Sequence, residues 1–294
     1  MNLSIIIVSY NVREKLRKNL ESIFASQFPK SINFSLEVFV VDNASVDASA
    51  DMVEKEFPAV KLIKNKKNLG FAKANNIAIK QSRGEFILLL NPDMRLFPET
   101  LYNAWLFAQK NPQALVSSCL LIDSNNKAIK HVRRFPRLFD QLAVVLKLPH
   151  LFPKILRRYL CLDFDYNLAQ KVDSVRGSFF MINKNSYQQL SGLDLPLLDE
   201  RYFVWFEEVD FCKQVQQMGG ETWYNPDAFC LDYVGQSFAL LKRGRAQKYF
   251  SNSMLKYFKK WHPAWQYYIL KIVWPLGKFL AFVFSVFAKK KKTS

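Results

Sequence analysis

The chain has 294 residues, of which 50% are hydrophobic, 15% are aromatic and 23% are charged. This composition is typical of a folded globular protein and excludes a disordered chain, a collagen-like repeat and a polytopic membrane protein. The net charge of +17 is concentrated in the tail, because residues 239–294 contain 13 Lys or Arg and no acid. We expect no nucleic-acid partner, since a nucleic-acid-binding domain usually has its basic stripe on the folded body together with a base-reading motif.

Four cysteines indicate the compartment of the protein. They are Cys119, Cys161, Cys212 and Cys230. They form no CxxC pair, and the apolar run at residues 5–8 is too short for the hydrophobic region of a signal peptide. We therefore expect the protein to be located in the reducing cytoplasm.

The first hundred residues alternate short apolar runs with segments of helical period, which predicts βαβ units and an α/β fold with a parallel sheet. Strands are predicted at residues 3–8, 36–41, 60–63 and 85–90. The predicted helices are one that buries Val12, Leu16, Leu20, Ile23 and Phe24, one that Ser45 caps and that runs toward Phe57, and one over residues 71–82. Polar residues collect at the carboxyl ends of these strands, where open α/β sheets bind ligands.

Regular elements are also predicted in the second half of the chain. They are a helix at residues 98–110, strands at 114–122 and 175–183, and a helix at 207–218 that Gly219 and Gly220 end. Residues 131–170 are basic and interrupted by proline, and we interpret them as a mobile or acceptor-side insertion.

Six motifs occur in one order between residue 3 and about residue 238. They are Ser4-Ile-Ile-Ile-Val-Ser-Tyr-Asn11, Val41-Asp-Asn-Ala-Ser-Val-Asp47, Asn68-Leu-Gly-Phe-Ala-Lys-Ala-Asn-Asn76, Leu89-Leu-Asn-Pro-Asp93, Val175-Arg-Gly-Ser-Phe-Phe180 and Phe206-Glu-Glu-Val-Asp-Phe-Cys212. This series resembles the family 2 glycosyltransferases, in particular the rhamnosyltransferase-like branch of bacterial surface polysaccharide synthesis. The resemblance implies a GT-A fold, which is a Rossmann-like, nucleotide-binding mixed sheet flanked by helices. It also implies a nucleoside-diphosphate sugar donor, a divalent metal and inversion of the anomeric centre.

The resemblance assigns the donor nucleotide to polar residues that follow the strands. They are Ser9, Tyr10, Asn11, Asp42, Asn43, Ser45, Asn68, Gly70, Asn75 and Asp93. Asp42 can accept hydrogen bonds from a pyrimidine N–H or a ribose hydroxyl. The alternatives from local structure are a strand-to-helix turn, helix capping by Ser45 and Asp47, and a simple glycine loop.

The resemblance implies a metal site as well. Asp93 stands where the family usually has an acidic DxD-type motif, and Asp232 stands where many relatives have a histidine. Mg²⁺ and Mn²⁺ prefer oxygen ligands and often take only one or two from the protein, so these residues suffice. A surface position is the alternative for Asp232.

Glu207, Glu208 and Asp210 match the family's acidic stretch that contains the catalytic base. The resemblance assigns the base to Glu208, which would take the proton of the acceptor hydroxyl. Glu207 and Asp210 are neighbours that can exchange roles with it. The alternative is that all three acids favour a helix N-terminus electrostatically.

Further basic and imidazole side chains lie outside these motifs. Arg133, Arg134 and Arg137 are candidates for a phosphate contact, with a solvated loop as the alternative. Arg176 is a candidate for the border of the acceptor cleft. The spacing of His131, His150 and His262 fits no metal site, so we give them no role.

The tail at residues 239–294 combines basic, aromatic and apolar residues. Residues 267–288 are long enough to span a membrane, but Lys271, Pro275, Gly277 and Lys278 interrupt them. We expect a helical tail in the plane of the cytoplasmic membrane's inner face or re-entrant there. A helix packed on the catalytic domain or on a second subunit is the alternative.

These expectations combine into one functional hypothesis. Residues 1–238 form the catalytic domain, with a nucleotide-sugar half at 1–122 and an acceptor half at 123–238. The enzyme would transfer a sugar, first of all rhamnose, from a dTDP- or UDP-sugar to a glycan or polyprenyl-linked glycan, with a homodimer as an open alternative for its oligomeric state. A nucleotidyltransferase is disfavoured because residues 8–18 lack a Gly-rich basic signature. A decayed transferase that acts as a membrane-bound scaffold or glycan-binding protein is the alternative.

Overall fold

The computed structural model describes residues 1–233 and 243–290, and it describes side chains in residues 1–233 and 244–277. These residues form a mixed sheet flanked by helices. The strands are β1 (Leu3–Ser9), β2 (Leu36–Asp42), β3 (Lys61–Lys64), β4 (Phe86–Leu90), β5 (Met94–Leu96), β6 (Ala114–Ile122), β7 (Gln170–Val172), β8 (Phe179–Asn183) and β9 (Glu221–Asp232). The helices are α1 (Arg13–Phe24), α2 (Ser49–Glu56), α3 (Phe71–Ile79), α4 (Thr100–Lys110), α5 (Leu138–Val145), α6 (Lys184–Ser191), α7 (Glu207–Gln217), α8 (Arg243–Trp261) and α9 (Ala264–Lys290).

The sheet has the strand order β3-β2-β1-β4-β8-β6-β9-β5, and β7 pairs with β9. The first four strands in this order are parallel, as the sequence predicts. β8 is antiparallel to both β4 and β6, whereas β9 is parallel to β6 and antiparallel to β5. Since Ser9 pairs with Asp42 and Ile7 pairs with Leu90, the polar residues that follow β1, β2 and β4 lie at one edge of the sheet.

The sheet is buried on both faces because successive side chains of a strand point to opposite sides. In β1, Ile5 and Ile7 pack into a core with α1, α2 and α4, whereas Ile6 packs into a second core with α3 and α7. Leu88 and Leu89 of β4 divide in the same way. Fully apolar strands are therefore required here.

Several boundaries differ from the sequence prediction. Ser45 does not cap a helix, because α2 begins at Ser49 and Asp47 Oδ1 accepts the hydrogen bond from Ser49 N at 3.1 Å. Helix α3 ends at Ile79 rather than at residue 82, and β8 begins at Phe179 rather than at residue 175. The three-residue strand β5 is too short for its pattern to be recognised in the sequence.

Residues 131–170, which the sequence left unassigned, contain α5 and a 3-10 turn at Leu148–His150. Val145 of α5 belongs to a third apolar cluster, together with Tyr202, Phe206, Phe258 and Leu270. This cluster joins the insertion to both tail helices.

The first part of the tail packs on the domain that precedes it. Met254, Tyr257 and Phe258 of α8 are buried, and Ser253 Oγ donates a hydrogen bond to Val204 O at 2.8 Å. A helix packed on the preceding domain is the alternative to a membrane-bound tail, and α8 and the start of α9 pack in this way. Among the described residues, no helix combines the length and the apolar character that a membrane crossing requires.

Candidate active site

A cavity of about 320 Å³ lies at the carboxyl edge of the parallel strands, and we call it the strand-end cavity. Its lining includes four residues that the sequence assigned to the nucleotide, which are Tyr10, Asn43, Asn68 and Gly70. Arg245 and Tyr249 of α8 close the opposite side. The tail therefore contributes to a cavity that the sequence placed within residues 1–122.

Asn43 and Gly70 shape the wall of the strand-end cavity. Asn43 Nδ2 donates to Gly70 O at 3.2 Å, and Asn68 Oδ1 accepts from Gly70 N at 2.9 Å. Gly70 has φ +83°, and a Cβ at this position would lie 2.3 Å from Phe203 O. Only glycine fits this turn, because both the backbone angle and the contact exclude a side chain.

Ser9, Asn11, Asp42 and Ser45 connect the loops that follow β1 and β2. Asp42 Oδ2 accepts from Ser45 N at 2.9 Å, and Ser45 Oγ accepts from Asn11 N at 3.0 Å. Asn11 Oδ1 accepts from Val46 N at 2.8 Å. Within the described residues, Ser9 Oγ and Asp42 Oδ1 are buried without a hydrogen-bond partner, so each retains hydrogen-bonding capacity toward a ligand.

Asn75 lies on α3, the helix that follows Asn68 and Gly70. It is buried within α3, and its Nδ2 donates to Phe71 O at 3.0 Å. It does not line the strand-end cavity. Within the described residues its Oδ1 is buried without a hydrogen-bond partner, as are Ser9 Oγ and Asp42 Oδ1, so its assignment to the nucleotide stays a prediction.

A second cavity of about 340 Å³, the carboxylate cavity, brings together four acids from three parts of the chain. Its acidic lining consists of Asp93, Glu207, Glu208 and Asp232. Phe71, Asn91 and Val204 line both this cavity and the strand-end cavity. The two cavities therefore adjoin each other, and together we call them the cleft.

Asp93 and Asp232 come together because β5 and β9 are antiparallel and Met94 pairs with Asp232. Asp232 Oδ2 accepts from Arg176 Nη1 at 3.1 Å. Burial raises the pKa of Asp232, Arg176 opposes this rise, and the charge of Asp93 adds to it. Two hard oxygen donors of like charge fit a divalent cation whose other ligands are phosphate and water. No group of three His, Cys, Asp or Glu suited to a metal occurs in the described part of the chain.

Glu207 and Glu208 begin α7, after Trp205 and Phe206, which have φ values of +64° and +71°. Burial raises the pKa of Glu208 to about 7, with Arg176 acting in the opposite direction. Burial and the charge of Glu208 raise the pKa of Glu207. In the described part of the molecule, Oε2 of each has no hydrogen-bond partner. A carboxyl group with a pKa near neutrality suits proton transfer.

The structure corrects the expectation for Asp210, which does not line the carboxylate cavity. Asp210 follows Glu208 by two residues, so it is rotated by about 200° around the helix axis. Its buried carboxylate accepts from Lys260 Nζ at 2.7 Å, Trp261 Nε1 at 2.6 Å and Gln214 Nε2 at 2.7 Å. Asp210 thus ties α7 to the end of α8.

Sequence reasoning missed the loop before α7. Phe203, Val204 and Trp205 line the cleft, and Phe203 O accepts from Phe71 N at 2.7 Å. Positive φ angles at Trp205 and Phe206 are unusual for aromatic residues and gave no signal in the sequence. The basic residues of α8 did give a signal, but we interpreted them as a membrane contact.

A larger cavity, of about 690 Å³, lies elsewhere. Segments within residues 132–173 line it, and it includes none of the four acids. Size therefore does not identify the site, whereas the grouping of carboxylates beside the strand ends does.

Comparisons with known proteins identify the family of the chain. The profile of the family described as Glycosyl transferase family 2 matches residues 4–190. The chain is 33% identical over 121 residues to the poly(ribitol-phosphate) beta-N-acetylglucosaminyltransferase TarS of Staphylococcus aureus, a match that covers 38% of this chain and 19% of TarS. It is 24% identical to the N-acetylglucosaminyl-diphospho-decaprenol L-rhamnosyltransferase of Mycobacterium tuberculosis, over 80% of this chain and 77% of that protein.

Solved structures confirm the predicted fold. The mannosyltransferase PcManGT of Pyrobaculum calidifontis, solved with GDP-Man and Mn²⁺, aligns with a TM-score of 0.58 at 19% identity. The alignment covers 93% of this chain and 69% of PcManGT. A likeness at this identity shows the fold, which is GT-A. Because the family profile covers well over half of the sequence, the chain belongs to glycosyl transferase family 2.

Proposed function

We propose that this protein is an inverting, metal-dependent glycosyltransferase that moves a sugar from a nucleoside diphosphate to a lipid-linked cell-surface glycan. The observation that supports this is the adjacency of the two cavities of the cleft. Phe71, Asn91 and Val204 join the strand-end cavity to the carboxylate cavity. A nucleotide in the first cavity would place its diphosphate and sugar in the second.

The nucleotide would lie against Tyr10, Asn43, Asn68 and Gly70, with Asp42 behind them. Asp93 and Asp232 would hold Mg²⁺ or Mn²⁺, which when bound neutralises the charge of the leaving diphosphate. Arg176 donates to Asp232 and lines the same cavity, so it orients that carboxylate.

Glu208 would act as the base. The acceptor oxygen forms a bond to the anomeric carbon while the bond from that carbon to the diphosphate oxygen breaks on the opposite face, which inverts the centre. The hydroxyl proton passes to Glu208, whose raised pKa of about 7 lets it accept a proton at neutral pH. Glu207 interacts with Glu208 electrostatically, so the two carboxyls titrate as a pair.

Rhamnose is the first donor sugar we propose, because the relative from Mycobacterium tuberculosis is a rhamnosyltransferase. Its name also gives the acceptor to try first, a prenyl-diphosphate-linked N-acetylglucosamine. N-acetylglucosamine and mannose follow as donors, because they are the sugars in the names of TarS and PcManGT.

The acceptor would be reached at the inner face of the cytoplasmic membrane. Trp265, Tyr268, Ile272 and Leu276 of α9 are 57%, 57%, 75% and 52% exposed. Their spacing of three or four residues places them on one side of the helix. An exposed apolar and aromatic side on a basic tail suits the boundary of an anionic lipid surface.

A thermal-unfolding titration with UDP, dTDP, GDP and CDP tests the donor site, with Mg²⁺ or Mn²⁺ and again with chelator. We expect one nucleotide to raise Tm, and to do so only with metal. Asp93→Ala should abolish the metal-dependent part of this rise. If no nucleotide stabilises the chain, the transferase proposal fails and the scaffold alternative gains support.

A further inference from the structure

A third cavity, of about 160 Å³, adjoins the carboxylate cavity, and we call it the Arg133 cavity. It shares Arg176, Trp205 and Glu208 with the carboxylate cavity. Its other walls include Arg133 and Tyr159, which come from the insertion. Glu208 therefore stands at the boundary between two spaces, one of which contains Asp93 and Asp232 and the other Arg133.

Arg133 is a partly buried cation that has no salt-bridge partner among the described residues. Its guanidinium donates one hydrogen bond, from Nη1 to Val132 O at 2.7 Å. In the described part of the chain it forms no ion pair, whereas its neighbour Arg134 pairs with Asp173 at 3.3 Å. The remaining segments, 234–242 and 278–294, contain no Asp or Glu, so they offer no acidic side chain either.

This arrangement is unfavourable in the absence of a ligand. A charge removed from water costs free energy unless an opposite charge compensates it. Burial lowers the pKa of Arg133, and the positive charge of Arg176 lowers it further. Arg133 and Arg176 both line this small cavity, so an anion bound there would lie near two positive charges, of which Arg176 is already paired with Asp232.

The position of the cavity identifies the substrate to which that anion belongs. The donor diphosphate is assigned to the Asp93 and Asp232 side of Glu208, and the Arg133 cavity lies on the other side. We propose that the Arg133 cavity binds a phosphate group of the acceptor and so holds the reacting hydroxyl beside Glu208. Guanidinium groups form paired hydrogen bonds with phosphate oxygens, which suits this role. The inference rests on the proposed transferase function.

The first experiment measures phosphate binding directly by thermal unfolding of the full chain. The donor site is filled beforehand with the stabilising nucleotide and Mg²⁺, and inorganic phosphate is then added. Sodium chloride at equal ionic strength and sodium acetate serve as comparison anions. Failure of the nucleotide step would refute the transferase proposal, and it would be distinguishable from a failure of the phosphate step.

Three variants accompany the wild type. Arg133→Met removes the charge but keeps an unbranched chain, Arg133→Lys keeps the charge without the paired donors, and Arg134→Met is the matched control. Phosphate should raise Tm of the wild type and of Arg134→Met, raise it less in Arg133→Lys, and leave Arg133→Met unchanged. Without phosphate, Arg133→Met should unfold at or above the wild-type Tm, because it removes an uncompensated charge.

The second experiment asks whether the phosphate belongs to the acceptor. Transfer to the prenyl-diphosphate-linked sugar is compared with transfer to the same sugar without phosphate. Arg133→Met should raise KM for the phosphorylated acceptor by roughly 10- to 100-fold, which is the range for a lost hydrogen bond to a charged group. KM for the sugar without phosphate should stay unchanged.

Three results would overturn the inference. The first is an equal phosphate effect in Arg133→Met, and the second is an equal effect of acetate or chloride on the wild type. The third is an Arg133→Met variant that changes KM by the same factor, or not at all, with both acceptors, since Arg133 would then not act on the phosphate of the acceptor.

Discussion

Glu208 differs from its neighbour Glu207 in what it touches. Glu207 is 5% exposed and lines only the carboxylate cavity among those described above, whereas Glu208 lines this cavity and the Arg133 cavity. An acceptor hydroxyl that enters from the Arg133 side would meet Glu208 first. This difference in position favours Glu208 as the base.

We expect Glu208→Gln to lower kcat by about 10²- to 10⁴-fold, the usual contribution of general base catalysis. Nucleotide binding should persist, because Glu208 lies outside the strand-end cavity. Glu207→Gln should retain more activity. Steady-state transfer rates and nucleotide titrations of both variants measure this, and the reverse order of activity would assign the base to Glu207.

The pH dependence of transfer follows from the same residue. A base must be unprotonated, and the pKa of Glu208 is raised to about 7 by burial. We therefore expect kcat/KM to rise about tenfold per pH unit below this value and to level off above it. Because Glu207 and Glu208 titrate as a pair, the rise of kcat/KM with pH should be broadened into two steps. A profile measured from pH 5 to 9 that is already flat at pH 5.5 would argue against a raised pKa.

At the scale of elements, α7 is fixed by α8 through one buried carboxylate. Asp210 is fully buried and accepts hydrogen bonds from Lys260 and Trp261 of α8. Tyr202 OH also donates to Asp210 Oδ1, at 3.3 Å. Lys260 also donates to Asp199 at 3.2 Å. The orientation of Glu208 at the start of α7 thus depends on the end of another helix.

Lys260→Met should destabilise the protein by about 3–5 kcal/mol, because it leaves the Asp210 charge buried with less compensation. Adding Asp210→Asn to this variant should recover part of the loss, since no buried charge then remains there. Lys259→Met, on the exposed side of the same turn, is the control. Urea unfolding measures the wild type, the Asp210→Asn single variant and these three variants, and strictly additive losses would show that the two residues do not interact.

A second prediction for the helices concerns the exposed side of α9 and its binding to lipid. Ile272→Glu should weaken binding to phosphatidylserine vesicles roughly tenfold, because it places a charge where an apolar side chain would be buried. Leu193→Glu removes an exposed Leu (58%) from the loop after α6 and should have no effect. Vesicle co-sedimentation measures both variants. Equal binding of the wild type to phosphatidylcholine would contradict a role for the basic tail.

At the scale of the whole molecule, the sequence was most informative about the first half. The apolar runs of β1, β2 and β4 and the polar residues after them are local patterns, and local patterns define strands and their ends. The resemblance supplied Asp93 and Glu208, which the structure places in one cavity. Physical reasoning from the sequence alone could not pair them, because their proximity depends on the order of distant strands.

The rest of the site depends on contacts between distant parts of the chain. Asp232 reaches Asp93 only through the antiparallel pairing of β9 with the short strand β5. The sequence grouped Asp210 with the catalytic acids because it is adjacent in the motif, but the helical rotation turns it toward Lys260. In the sequence Arg133 looks like any other arginine of a basic loop. Its burial and its lack of an acidic partner depend on the fold and could not be predicted.

The contribution of α8 to the cleft has a consequence for engineering. The family profile ends at residue 190, yet Arg245 and Tyr249 complete the strand-end cavity and Trp261 holds α7. A chimera that exchanged everything after the profile with that of a relative would also replace these three side chains. If the strand-end cavity binds the donor as we propose, donor preference would then change together with the tail. A recombination boundary for transplanting specificity should therefore be placed after Trp261, where α8 ends.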